Sequence, residues 1–198
     1  MIITNKLSEK CLNFIKNNTP IPEEDSEKLY YGLQVIMMDT SKTILLLTTA
    51  YLLGVLKYTF IALISFATLR RFASGVHANS TLQCVIINYI LFLGNVYLSL
   101  NFSINILVQS IIFIISFILV FIYAPGDTEE RPLVSKKLRK RLKITSLTII
   151  IIFYIIILLI KNNINTNLIT YSILEASLII TPIAYKLFGK KTSNYKNI

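Results

Sequence analysis

Long apolar stretches alternate with short polar ones along most of this chain, and no Asp, Glu, Lys or Arg occurs between Phe72 and Gly126. A bilayer core of about 30 Å is crossed by roughly 20 apolar residues in a helix. The apolar runs at 43–66, 82–100, 104–124, 144–160 and 168–187 have that scale. They predict an all-α, polytopic membrane helix bundle with roughly four to six membrane segments, some of them re-entrant. Gly54 and Lys57, in the middle of run 43–66, predict a break there. The first 42 residues read differently. Leu7, Cys11, Phe14 and Ile15 fall near one helical face, Thr19-Pro20-Ile21-Pro22 interrupts it, and Leu29, Leu33, Ile36 and Met37 resume helical spacing. Residues 1–42 are therefore expected as N-terminal cytoplasmic and interfacial helices, the first of them amphipathic, ahead of a membrane domain at 43–198.

Charge assigns the sides. Hydrophobic residues make up 54% of the chain and charged ones 15%, which excludes an ordinary soluble domain. The net charge is +10. Arg131, Lys136, Lys137, Arg139, Lys140, Arg141 and Lys143 form one basic run without an acid. Basic loops mark the cytoplasmic side, so loop 127–143 and the lysine-rich C-terminal tail are expected there. Runs 82–100 and 104–124 then form a hairpin turning outside at Asn101–Ser103, and the last two runs form another, turning at Asn162–Asn167. The expected location is the bacterial cytoplasmic membrane, with several crossings. The basic run reads either as a contact with anionic membrane lipid or as a dock for an acidic substrate tail, through Lys136, Lys137, Arg139, Lys140 and Arg141. It is short and lies between spans, which argues against nucleic acid. Two cysteines make no disulfide framework. No cofactor or metal is expected.

The chemistry concentrates where the span at 82–100 begins. His77 is the single histidine, and Cys84 comes seven residues later. On one continuous helix they would stand about 10.5 Å apart along the axis, beyond hydrogen-bond reach. A dyad therefore requires a break between them. Ser80-Thr81-Leu82-Gln83 has the form of a capping box before an apolar run, and Gly75 and Asn79 add turn character. This predicts Ser80 as N-cap, Cys84 in the first turns of the helix, and His77 on the preceding loop. A helix start and the neighbouring Arg70 and Arg71 favour an anionic sulfur. Gln34, Asn79 and Gln83 are candidates to orient His77. The same residues also fit an inert apolar Cys84 and an interfacial His77. Lys57 and Glu175 are isolated charges inside apolar runs, and they could pair or line a polar path. In Ala124-Pro125-Gly126-Asp127-Thr128, Pro and Gly end a helix and Asp127 could cap the next one.

Arg70-Arg71, Gly75-x-His77, Cys84 seven residues on, and the later Ala124-Pro125-x-Asp127-Thr128 with Pro132 before a basic stretch resemble the accessory gene regulator protein B family over nearly the whole chain. Between Asp127 and Pro132 this chain has Thr-Glu-Glu-Arg, where the family commonly has Asn and Lys. The resemblance implies a membrane cysteine endopeptidase of peptide quorum sensing. Such an enzyme cleaves a short AgrD-like propeptide near its acidic C-terminal tail. Cys84 would be the nucleophile and His77 the general base and acid, with Arg70, Arg71, Gly75, Gln34, Gln83 and Asp127 in possible support. The acyl-enzyme thioester would then be attacked by a cysteine or serine of the substrate, closing a thiolactone or lactone. The resemblance also implies a homodimer and an active site facing the cytoplasm. The competing expectations are a small transporter or peptide exporter without peptidase activity, relying on Glu175, and a non-enzymatic membrane scaffold.

Overall fold

The computed structural model describes residues 2–19, 22–76, 80–128, 133–160, 163–192 and 194. Among them it is all helical, with a single isolated β-bridge between Ser74 and Gly126. The chain divides into two compact units, Met1–Leu52 and Leu53–Ile198.

The first unit holds α1 (Ile2–Asn18) packed against α2 (Glu23–Leu52). The expected apolar face of α1 is divided. Ser8 is buried and Cys11 and Ile15 are partly so, while Leu7 and Phe14 are exposed. Leu7 and Phe14 stand seven residues apart, two turns along one side, as a helix lying on a lipid surface requires. The helical run of α2 ends at Leu52, and Gly54, at φ +70°, makes the break that the sequence predicts.

The second unit contains α3 (Leu56–Ala73), α4 (Thr81–Asn101), α5 (Ile106–Tyr123), α6 (Lys136–Leu159), α7 (Asn163–Leu178) and the short α8 (Pro182–Leu187). Most of its helices start on a side-chain cap. The Asn105 Oδ1 accepts from Val108 N at 3.0 Å for α5, the Ser135 Oγ from Leu138 N at 3.3 Å for α6, and the Thr181 Oγ1 from Ala184 N at 3.4 Å for α8. Asp127 does not cap α6. It is buried eight residues earlier, and Ser135 takes that place.

Among the described residues, four helices are long and apolar enough to cross a membrane: Asp25–Leu52, Thr81–Asn101, Ile106–Tyr123 and Lys136–Leu159. They carry large exposed apolar side chains such as Ile90, Ile118, Ile122, Ile152 and Ile155, the surface that lipid covers.

Helix α7 is the centre of the second unit, packed on α3, α4, α5 and α6. It is buried nearly all round, yet half of its buried residues are polar and small: Thr166, Asn167, Thr170, Ser172 and Ser177. They are tied to the surrounding helices. Asn95 of α4 donates to Leu168 O at 3.2 Å and to Ser172 Oγ at 2.9 Å. Gln109 of α5 donates to Thr166 Oγ1 and Asn167 Oδ1, both at 3.0 Å. Asn167 Nδ2 donates to Phe102 O at 2.9 Å, and Ser172 Oγ to Ala62 O of α3 at 3.1 Å. Between helices in lipid, hydrogen bonds and close packing of small residues replace the hydrophobic drive. An apolar cluster including Leu69, Phe113, Val120, Ile150 and Ile173 completes the core.

Two expectations change here. The sequence predicts an outer turn over Asn162–Asn167; Asn162 lies outside the described residues, and Asn163–Asn167 form the start of α7, where Gln109 and the Phe102 carbonyl bond Thr166 and Asn167. The run 168–187 reads as one segment, but it breaks at Ile179–Thr181, where Pro182 takes the first position of α8. Lys57 and Glu175 also stay apart. Lys57 is exposed, Glu175 lies half-buried beside Asn95, and the ion pairs among the described residues are Lys28–Asp25 and Lys42–Asp39.

Candidate functional site

Cys84 is the fourth residue of α4. The start of that helix has the predicted capping pattern. Ser80 Oγ accepts from Gln83 N at 3.2 Å, and Cys84 N donates to Ser80 O at 3.0 Å. The residue is partly exposed. His77 and Asn79 lie outside the described residues, as do Glu129, Glu130, Arg131 and Pro132.

The chain leading to His77 is held by an unusual set of contacts. Arg70 sits in the last turn of α3, and its two terminal nitrogens donate to the carbonyls of Ser74 and Val76. Arginine presents its donors as a planar fork, which suits two nearby carbonyls. The charge of this guanidinium interacts with Tyr185 and with Cys84. One side chain thus fixes the backbone up to the residue before His77.

Gly75 makes this possible. Its φ is +122°, and a Cβ there would collide with the Arg70 guanidinium and stand 3.1 Å from Ile179 O. Val76, buried, donates to Ile179 O at 3.5 Å, so the segment also rests on the end of α7. On its other side lies the second motif. Gly126 N donates to Ala73 O at 2.8 Å, and a Cβ on Gly126 would come within 2.8 Å of Gly75 Cα and 2.7 Å of Tyr185 Oη. The two glycines let two backbones touch. The Ala124–Pro125 peptide is cis.

Tyr185, on α8, locks this contact. Its hydroxyl donates to Asp127 O at 2.7 Å. Burial pushes the phenol up to about 12, with Arg70 opposing and Asp127 adding, so it remains a donor at neutral pH. Sequence reasoning does not single out Tyr185, and it reads Gly126 only as part of a helix-ending turn. The one local signal for Tyr185 is Thr181-Pro182, a helix start that places it in the first turn of a new element.

The remaining candidates divide. Arg71 is exposed and, with Arg70, Ser74, Gly75 and Thr128, walls a recess of about 310 Å³. Gln83 is partly buried beside Cys84 in sequence, and Gln34 is partly buried in α2, in the other unit. Lys136, Lys137 and Arg141 are exposed at the start of α6. Arg139 donates to Leu133 O at 2.6 Å and to Val134 O at 3.1 Å.

Exposure does not separate the two cysteines, since both are partly buried. Charge does. Anionic iodoacetate is expected to label Cys84 several-fold faster than Cys11 at neutral pH, with Arg70→Gln reducing the difference. Equal labelling rates by peptide mass spectrometry would contradict the role given to Arg70.

Fold and site together define a multi-pass membrane protein with a thiol at a capped helix start, braced by two docked loops. The chain belongs to the accessory gene regulator B family, whose model matches residues 8–181. This is a membrane-protein family of quorum-sensing gene regulation. The chain is 35% identical over 168 residues to a putative AgrB-like protein of Clostridium acetobutylicum, covering 85% of this chain and 80% of that one. It is 30% identical over 195 residues to accessory gene regulator protein B of Staphylococcus epidermidis, covering 98% of each. A putative AgrB-like protein of Listeria monocytogenes is 31% identical over 192 residues, 96% of this chain and 94% of that one. No solved structure matches.

Proposed function

We propose that this protein is a membrane cysteine endopeptidase that cleaves an AgrD-like propeptide near its C-terminal tail and supports closure of a cyclic thiolactone or lactone. The observation that carries this reading is the environment of Cys84: a capped helix start, partial exposure, and the Arg70 guanidinium that also holds the chain up to Val76. His77 comes directly after Val76.

The steps balance without a further reactant. The sulfur of Cys84, having passed its proton to His77, attacks the carbonyl of the scissile peptide. Backbone amides at the start of α4 stabilise the oxyanion. The C–N bond breaks, His77 protonates the departing amine, and the acyl group remains on sulfur as a thioester. The tail leaves as a free amine. A thiol within the acyl portion then attacks the thioester, giving the ring and returning the proton and the free Cys84. A serine hydroxyl in that place gives the lactone. Exchange between two thioesters is nearly balanced, so release of the tail draws the sequence forward. The active site faces the cytoplasm and the protein acts as a homodimer. Exposed Lys136, Lys137 and Arg141 offer charge to the acidic tail of the substrate.

The test is to trap the thioester. Full-length protein in vesicles is mixed with a propeptide whose internal cysteine is replaced by alanine, which blocks ring closure. The expected result is an adduct on Cys84 with the mass of the N-terminal fragment, released by hydroxylamine. Cleavage of this substrate with no adduct at any time overturns the proposal.

A further inference from the structure

The basic end of α6 is not uniform. Lys136, Lys137 and Arg141 are exposed and line no cavity described for this end of the protein, whereas the partly buried Arg139 and Lys143, with the exposed Lys140, wall a recess of about 470 Å³. The opposite walls are apolar, with Ile122 at the end of α5 and Ile180 and Pro182 beyond α7. One acid, Asp127, lines the same recess, so three cations face one carboxylate there. Arg139 is partly engaged with Leu133 O and Val134 O. Lys143 stands over the Phe121 ring, with Nζ 4.7 Å from its centroid. The excess charge of the recess therefore rests on Lys140 and Lys143.

A second cavity lies further along the same pair of helices. It is a groove of about 280 Å³ between α5 and α6, lined mostly by apolar side chains, including Phe113, Ile114, Phe117 and Ile118 of α5 and Ile150 and Ile151 of α6. Ile114, Ile118 and Ile122 are all exposed, each one turn from the next, so one apolar stripe joins groove and recess. From Ile114 to Ile122 the stripe runs about 12 Å. Lys143 and Ile150 lie two turns apart on α6, which puts the basic wall and the groove on one side of that helix.

A cationic recess linked by an exposed apolar stripe to an apolar groove has the two-part chemistry of a phospholipid. We propose that this is a specific site for one anionic phospholipid, its phosphate held by Lys140 and Lys143 and an acyl chain lying between α5 and α6. An acidic peptide would satisfy the lysines but not the groove, and a neutral lipid would satisfy the groove but not the lysines. The lining includes Gly126, Asp127 and Tyr185, the same residues that brace Gly75, so an occupied site adjoins the Gly75 segment.

The site is tested without any substrate, independently of the reading of Cys84. Full-length protein is placed in phosphatidylcholine vesicles containing a trace of spin-labelled phosphatidylglycerol or spin-labelled phosphatidylcholine. Spectra should show a motionally restricted population several-fold larger for phosphatidylglycerol, persisting at 0.5 M salt, where diffuse attraction is screened to about 4 Å. Lys140→Gln with Lys143→Gln should remove the excess, Lys140→Arg with Lys143→Arg should keep it, and Lys136→Gln with Lys137→Gln should leave it intact. Equal restriction of both lipids, loss of the excess at high salt, or equal effects of the two glutamine pairs overturns the site. So does a peptide of four aspartates that shields Lys140 and Lys143 from acetylation where phosphatidylglycerol does not.

Discussion

Cys84→Ala should lower propeptide cleavage by roughly a thousandfold or more while leaving the protein folded in the membrane, since loss of a covalent nucleophile removes the whole acyl-enzyme route. The contrast between activity and folding is what makes the prediction sharp. Cys84 does not cap α4; Ser80 does, through its Oγ on Gln83 N. Cys84 is only partly buried, so truncation opens little cavity, and alanine is the best helix former for that position. Thermal unfolding in detergent should therefore shift by a degree or two at most, and the yield of inserted protein should match the wild type. Cys11→Ala serves as the control, with cleavage unchanged. A Cys84→Ala protein that still cleaves at more than about a tenth of the wild-type rate, equivalent to a loss below about 1.4 kcal/mol of barrier, cannot use this sulfur as nucleophile.

Gly126→Ala should be strongly damaging for a single added methyl. The new carbon would stand 2.8 Å from Gly75 Cα and 2.7 Å from Tyr185 Oη, and backbone cannot yield as a long side chain can. Overpacking of this kind costs about 1–3 kcal/mol. The strain falls on Gly75, whose neighbours Ser74 and Val76 hold Arg70, so activity should fall further than stability. Tyr185→Phe separates the two contacts. In the Gly126→Ala background it removes the Oη collision and should recover part of the lost thermal stability. The contact with Gly75 remains, so recovery stays incomplete. If Gly126→Ala unfolds at the wild-type temperature and cleaves normally, the close approach of the two loops has no functional weight.

How much of this is legible in the sequence depends on range. The Ser80 cap, the break at Gly54 and the apolar spans are local, carried by spacing and by residues with one strong preference. The motifs around Gly75 and Gly126 are visible as glycine-bearing turns, but their meeting is not, because fifty residues and two helices separate them. Asn163–Asn167 mislead for a related reason. Asparagine reads as a turn former when it stands alone, and only Gln109 and the Phe102 carbonyl, supplied from α5 and the turn before it, make a helix of it. Ile179–Thr181 lies inside an apolar run, where the local signal of Thr181-Pro182 is outweighed by the hydrophobic pattern. Tyr185 carries no periodic signal, and its partners lie on a distant loop.

The position of α7 has a consequence for how the polypeptide is made. A ribosome completes α3, α4, α5 and α6 before it reaches residue 163, so the bonds that Asn95 and Gln109 donate to α7 are still unmade when these residues enter the lipid phase. Until the seventh helix arrives, the earlier spans form a ring around a missing axle, each carrying a polar group that hydrocarbon does not solvate. Nascent chains stopped short of Ser172 therefore lack the piece that closes the assembly, and quality-control proteases should recognise them as incomplete.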